Sequence, residues 1–166
     1  MKYLVLGGQG MLGHMIVKYL HAKQHKVYST SRELGVAPRN EIVFDPRLDG
    51  IGGHLRVFDR LDFDYIINCI GIIKPRINDN LEESIFINSL FPHQLSGLFP
   101  NKVIHITTDC VFSGKDGGYL EDSIHDVTDL YGRSKSLGEP KDCMVLRTSI
   151  IGPELASRRY SLLEWF

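Results

Sequence analysis

Tyr131 and Lys135 stand four residues apart in the stretch Tyr-Gly-Arg-Ser-Lys, a spacing that puts both side chains on one face of a helix. A phenol can protonate the alkoxide that forms when hydride reaches a ketone, but its unperturbed pKa is ~10. An ammonium beside it favours the phenolate and lowers that pKa. The same lysine can hydrogen-bond a ribose hydroxyl. The pair therefore suits general acid/base catalysis near neutral pH. Tyr-x-x-x-Lys also arises by chance, and it gains meaning from what precedes it. Residues 105–112, His-Ile-Thr-Thr-Asp-Cys-Val-Phe, leave an apolar run that reads as a strand. Thr107 and Thr108 fall at its carboxyl end, where open α/β sheets bind ligands. A threonine hydroxyl there can polarise a substrate carbonyl. The plainer reading is β-branched residues closing a strand with a hydroxyl turn.

A second constellation lies at the amino terminus. Residues 7–13 read Gly-Gly-Gln-Gly-Met-Leu-Gly, between an apolar run and a helical pattern. Gly7 suits the tight turn leaving the strand. Gly10, followed by Met11 and Leu12, opens the helix N-terminus to a pyrophosphate, and Gly13 allows close packing of helix on sheet. Thr30, Ser31 and Arg32 end the next strand. An acidic residue there would bind the ribose 2′-hydroxyl of NAD. Hydroxyls and a guanidinium instead suit the 2′-phosphate of NADP, so NADPH is expected over NADH. Glu33 is the complication, and it is placed beyond the strand end.

These groups need elements to position them. Apolar runs at 3–6, 26–30, 41–44, 64–69, 102–106 and 143–147 read as strands. Helical patterns occupy 11–20, 46–61 with a loose glycine-containing start, 80–99 with a break or kink at Pro92, and 131–139. Residues 113–129, rich in Gly, Asp and Ser, read as a long loop, and 161–166 as an amphipathic helix cut short. Strand and helix alternate, which implies an α/β fold: a Rossmann-type, doubly wound parallel sheet with helices on both faces.

The whole chain has 166 residues, enough for one sizeable core, and a formal net charge of −1. That balance argues against a nucleic acid partner held by excess positive charge. No apolar run is long enough to span a membrane, and the start does not have the layout of a signal peptide. Cys69, Cys110 and Cys143 are odd in number and far apart. They suggest reduced thiols in a cytoplasmic protein, with no metal site.

Thr-Thr-Asp-Cys-Val-Phe-Ser-Gly at 107–114, the Tyr-Gly-Arg-Ser-Lys-Ser-Leu-Gly-Glu run at 131–139 and the Gly-x-x-Gly-x-x-Gly turn together resemble the dTDP-4-dehydrorhamnose reductase branch of the extended short-chain dehydrogenases/reductases. The resemblance covers nearly the whole chain. It implies NAD(P)H-dependent reduction of a keto group on a nucleotide sugar, in polysaccharide precursor synthesis. Thr108 and Asp109 would lie at the substrate, Tyr131 would donate the proton, and Lys135 would be its partner. Asp45 matches a position near the adenine, and Ile70, Gly71 and Ile72 match a turn lining the cofactor. Asn68 and Asn88 look like structural asparagines of the wider superfamily, or plain loop and helix caps. The nucleotide sugar is the expected partner, and a homodimer is compatible with the resemblance.

Two features depart from that pattern. Ile150 stands where the rhamnose-forming enzymes have a tryptophan at the substrate. Residues 1–150 are expected to form the dinucleotide-binding domain and 151–166 only the start of a substrate-binding lobe. The competing readings are an epimerase or dehydratase on the same scaffold and a non-catalytic NADP-binding subunit. A dehydratase would need an acidic pair after the threonine, and here Cys110 follows Asp109.

Overall fold

The computed structural model of the chain describes residues 1–32, 40–49, 58 and 60–152. Its centre is a six-stranded sheet: β1 (Lys2–Leu6), β2 (Lys26–Ser31), β3 (Glu41–Val43), β4 (Tyr65–Asn68), β5 (Val103–Thr107) and β6 (Met144–Arg147). The order across the sheet is β3-β2-β1-β4-β5-β6, and every neighbouring pair is parallel. Leu4, Val5 and Leu6 are fully buried, as expected of a central strand covered on both faces.

Side-chain alternation divides the core into two layers. On one face, α1 (Met11–Ala22) lays Ile16, Val17 and Leu20 over Val5, Val27 and Ile67. On the other, Leu4, Leu6, Ile66 and Val103 pack with Phe44, Phe91, Leu95 and Phe99. The strand order turns back between β1 and β4, so a crevice opens beyond their carboxyl ends. Such a switch point is where doubly wound sheets bind ligands.

The 80–99 segment breaks beside Pro92, the first of the two expected alternatives, and a wide turn separates the pieces. It runs as α3 (Leu81–Ile85), a π turn (Phe86–Leu90) and α4 (Phe91–Leu98). The wide turn precedes Pro92, which has no N–H for the Asn88 carbonyl four residues earlier. The Phe91 N–H reaches back five residues to the Phe86 carbonyl. The Asn88 carbonyl is approached closely by Gly138, just past α5 (Leu130–Leu137). Within 46–61, α2 (Pro46–Asp49) is helical, and residues 50–57 and 59 lie outside the described residues. So does the expected helix at 161–166.

The 113–129 loop is ordered by its own contacts. The Ser113 N–H donates to Asp126 at 2.7 Å, and Phe112 stacks on Tyr119 with centroids 4.4 Å apart. Arg147 covers the Phe112 ring and makes a two-pronged ion pair with Glu139.

A Cβ at Gly138 would stand 1.8 Å from the Asn88 carbonyl oxygen, whereas one at Gly97, on the exposed side of α4, would meet nothing. Gly138→Ala should therefore cost about 3 kcal/mol of stability through overpacking. Gly97→Ala should add about 0.5–1 kcal/mol through helix propensity. Urea denaturation of both variants checks the opposite signs; equal effects would contradict the close approach at Asn88.

Candidate active site

Four segments converge at the carboxyl ends of the strands. The first is the glycine turn. Gly7 has a φ of +76°, and a Cβ at Gly13 would stand 2.1 Å from the Gly7 carbonyl oxygen. Only glycine at 13 lets α1 start this close to the turn. The Gly10 cap of α1 makes no side-chain hydrogen bond, and the first turn carries no acidic residue. No side chain of Gly10 covers the first N–H groups of α1, an arrangement that suits an anion, and Met11 and Leu12 beside them are half-buried.

The second segment is the end of β2. Thr30 is buried, and its hydroxyl accepts from the Gly7 N–H at 3.0 Å, so it braces the glycine turn from beneath. Ser31 is buried and Arg32 is exposed. Asp45, after β3, is held by the Arg47 guanidinium at 2.8 and 3.0 Å. That contact keeps its carboxyl below the usual range against the opposing effect of burial, with Arg32 adding to the pull. Arg32 and Asp45 thus share one edge of the crevice. Glu33 lies outside the described residues.

The third segment is the turn after β4. Asn68 accepts from the Ile70 N–H at 3.1 Å. Asn88, fully buried in the π turn, accepts from the Ile72 N–H at 2.8 Å and donates to the Ile72 carbonyl at 2.9 Å. It also donates to Ser134 Oγ at 3.1 Å, and Ser134 in turn donates to the Tyr131 carbonyl at 2.8 Å. One amide therefore clamps Ile70-Gly71-Ile72 to the helix of Tyr131 and Lys135. The Lys135 Nζ lies 3.3 Å from where a Cβ at Gly71 would stand.

The fourth segment leaves β5. Thr108 caps a short 3₁₀ turn (Asp109–Val111), accepting from the Cys110 N–H at 3.1 Å and donating to Asp109 at 3.3 Å. Asp109 also accepts from the Ser149 hydroxyl at 2.6 Å. Thr107 points the other way, into the core. Ile150 follows Ser149 and is 39% exposed.

The electrostatics differ from the expected pairing in one respect. Burial raises the Tyr131 phenol above its ordinary value, a nearby Thr108 hydroxyl pulls the other way, and burial wins. The nearby carboxylates Asp109 and Asp129 push the phenol in the same direction as burial. Lys135 shares the helix with Tyr131. It is buried against Gly71, which pushes its pKa down to about 8 against the opposing charge of Glu139. At pH 7 the site thus holds a protonated phenol beside a still mostly charged lysine. Asp129 caps α5 by accepting from the Gly132 N–H at 3.1 Å. Burial raises its carboxyl, but that hydrogen bond and Lys74 prevail and hold it low.

Residue types alone did not single out Ser134, Ser149 or His105. The available signal for His105 was register: alternation along β5 places it in the buried row with Val103 and Thr107. A surface hollow beside Tyr65, Asn101, Lys141 and Met144 lies at the amino ends of β4–β6, away from this chemistry. Among the described residues no cluster of ligands could hold a metal, and no helix is long and apolar enough to cross a membrane.

The sheet order, the glycine turn and the Tyr/Lys helix define a Rossmann-type protein of the short-chain dehydrogenase/reductase class. The chain belongs to the RmlD substrate binding domain family, whose profile matches residues 1–152. It is 28% identical to a probable low-salt glycan biosynthesis reductase, Agl14, of Haloferax volcanii, over 89% of this chain and 52% of that protein. It is similar in structure to a hypothetical dTDP-4-dehydrorhamnose reductase of Sulfolobus tokodaii (TM-score 0.74, 24% identity, 89% of this chain and 55% of that one). A dTDP-4-dehydrorhamnose reductase of Bacillus anthracis in complex with NADP gives a TM-score of 0.71 at 22% identity, over 93% and 56%. The chain spans about half the length of the curated relatives it matches.

The buried lysine yields a stability test with a definite sign. Its folded pKa of about 8 lies below the unfolded value, so the unfolded chain binds the extra proton between the two. The cost of burying the charge is complete below pH 8 and relieved as pH rises toward ~10.4. Lys135→Met should therefore be more stable than the unmutated chain at pH 7, by on the order of 1–3 kcal/mol, with the gain shrinking by pH 10. Urea titrations at pH 7, 9 and 10 measure it; a variant less stable at pH 7 would refute the desolvation argument.

Proposed function

We propose that the protein is a cytoplasmic NADPH-dependent reductase acting on a keto group of a nucleotide-activated sugar, in polysaccharide precursor synthesis. Residues 1–150 form its nucleotide-binding domain, and the chain from 151 onward begins the part that holds the sugar. The observation that carries this reading is the Asn88 clamp, which fixes the Tyr131/Lys135 helix against the turn beside the glycine cradle. Membership of the RmlD family and the glycan-synthesis relative support it.

Gly7, Gly10, Met11, Leu12 and Gly13 would hold the pyrophosphate of the cofactor. Ser31 and Arg32 would meet its 2′-phosphate, while Thr30 braces the glycine turn. Asp45 would border the adenine, and Ile70, Gly71 and Ile72 the nicotinamide side. The bound reduced cofactor supplies a hydride. Thr108 orients the substrate carbonyl, Asp109 binds a sugar hydroxyl, and Tyr131 gives its proton to the carbonyl oxygen. The raised phenol pKa keeps that proton available at neutral pH. Lys135 stabilises the phenolate left behind and contacts the ribose.

The cofactor assignment predicts tighter binding of NADPH than of NADH. A charge-assisted contact from Arg32 contributes on the order of 1.5–3 kcal/mol, so Arg32→Ala should erase most of a roughly ten- to hundredfold preference. Calorimetric titration of both cofactors tests it, and equal affinities in the unmutated protein would overturn it.

For the mechanism, single-turnover reduction of a nucleotide 4-keto sugar by the full-length protein is decisive. Tyr131→Phe should lose about 10²–10⁴-fold in rate while retaining cofactor binding. Thr108→Val, which keeps the shape without the hydroxyl, should lose less. An undiminished rate for Tyr131→Phe across pH would mean the proton comes from elsewhere.

A further inference from the structure

Among the described residues His105 is the one histidine in the buried face of the sheet, 1% exposed in the middle of β5, and the chemistry above does not use it. Its Nδ1 lies 3.1 Å from Asn68 Nδ2, and the same Asn68 accepts the Ile70 N–H through Oδ1. These contacts determine one another. A backbone N–H can only donate, so Ile70 fixes which end of the Asn68 amide is oxygen. The NH₂ end must then face His105, and Nδ1 must accept. A ring accepting at Nδ1 is neutral and carries its proton on Nε2. Nε2 has no hydrogen-bond partner and is fully enclosed.

The surroundings agree with a neutral ring. Burial lowers the His105 pKa to about 3, and the charge of Lys135 on α5 and of His93 on α4 acts in the same direction. A buried donor without a partner is costly, and the Nε2 proton bears that cost. What the ring secures is the acceptor on its other nitrogen.

We propose that His105 is a positioning residue: as an obligatory neutral acceptor it locks the Asn68 amide, which holds the turn Ile70-Gly71-Ile72 in its cofactor-lining shape. The proposal rests on the reading of that turn as part of a nicotinamide nucleotide site. Asn88 grips the turn at Ile72 from the helix side, and Asn68 grips it at Ile70 from the sheet side. His105 gives the second grip its direction, because without an acceptor the Asn68 amide is free to rotate.

The test ranks three substitutions by chemistry and not by size. Asparagine can place an oxygen where His105 has Nδ1, glutamine can place one only where it has Nε2, and leucine fills space with no acceptor. We expect His105→Leu and His105→Gln to weaken NADPH binding roughly tenfold, the effect of one lost hydrogen bond, and His105→Asn to restore it to within about threefold. A filler role would instead make affinity follow side-chain volume and thermal stability, with asparagine worst, and that result would overturn the proposal. Amide hydrogen exchange in the cofactor-free chain separates this from the functional reading. Faster exchange at Ile70 in His105→Leu, restored in His105→Asn, is expected whether or not NADPH binds. Absence of NADPH binding by the unmutated chain would sink the cofactor reading, and with it the role in cofactor lining, while leaving the grip on Ile70 measured. Should His105→Leu not fold, nitrogen NMR of the unmutated chain decides. A proton on Nε2 and none on Nδ1 at pH 7 supports the acceptor role, and a proton on Nδ1 overturns it.

Discussion

The side-chain amide of Asn88 joins the turn after β4 directly to α5, which Ser89 and His93 also tie to the π turn and α4. Its oxygen and nitrogen take the N–H and carbonyl of Ile72, much as a neighbouring strand would, and its second N–H takes Ser134 on α5. The turn after β4 and the helix with the reactive side chains are thereby one rigid piece. The geometry depends on a local irregularity: the π turn widens the helix, Pro92 withholds the N–H that would have tightened it, and Gly138 is small enough to approach the Asn88 carbonyl closely. Single π turns inside α-helices are frequently found at functional sites. Here the reason is visible, because the widened turn aims Asn88 across the sheet's end.

Burial then decides the electrostatics. Tyr131 and Lys135 share a helix face as their spacing implied, yet the expected dominance of ammonium over phenol does not appear. Both groups shift toward their neutral forms, the phenol upward and the amine to about 8, with desolvation the largest cause on each; nearby carboxylates add to it at the phenol, and Glu139 opposes it at the lysine. At neutral pH the phenol keeps its proton and the lysine most of its charge, which are the states that the proposed reduction requires. Preorganised charge of this kind acts on the transition state and not on the resting site.

Much of this was legible in the sequence, for identifiable reasons. The continuous apolar run at 3–6 marks a strand buried on both faces, and the glycine spacing at 7–13 reads as a tight turn between a strand and a helix. The helix that carries Tyr131 and Lys135 and the strand end that carries Thr108 were readable from the sequence pattern. What escaped was pairwise. Thr30 reads as a phosphate ligand, but its hydroxyl turns inward to the Gly7 N–H. Asn68 and Asn88 read as caps, and nothing local in the sequence says that one faces His105 and the other Ser134. The π turn was also invisible, since its cause lies in Pro92 acting on a carbonyl four residues earlier. Such contacts are set by which strands become neighbours, and β4 beside β5 is a property of the whole sheet.

Polar groups at this end of the sheet sort by whether the fold has already used them. Asn68, Asn88 and Ser134 are buried and hydrogen-bonded, and they maintain shape. Arg32, Gly10, Gly71, Asp109 and Ser149 are exposed, and they ring the crevice between the glycine turn and the start of β5's exit loop. Asp109 shows how the two sets connect. Its carboxylate is fixed from both sides by Thr108 and Ser149, so its orientation is set before any ligand arrives, while its exposure leaves it able to accept further hydrogen bonds. Ser149 and Ile150 follow β6, and Gly152 passes against Met11 at the start of α1. The segment leading out of the described fold therefore crosses the mouth of the crevice. Whatever the chain beyond Gly152 adds, it starts from a point already tied to Asp109 on one side and to the glycine turn on the other.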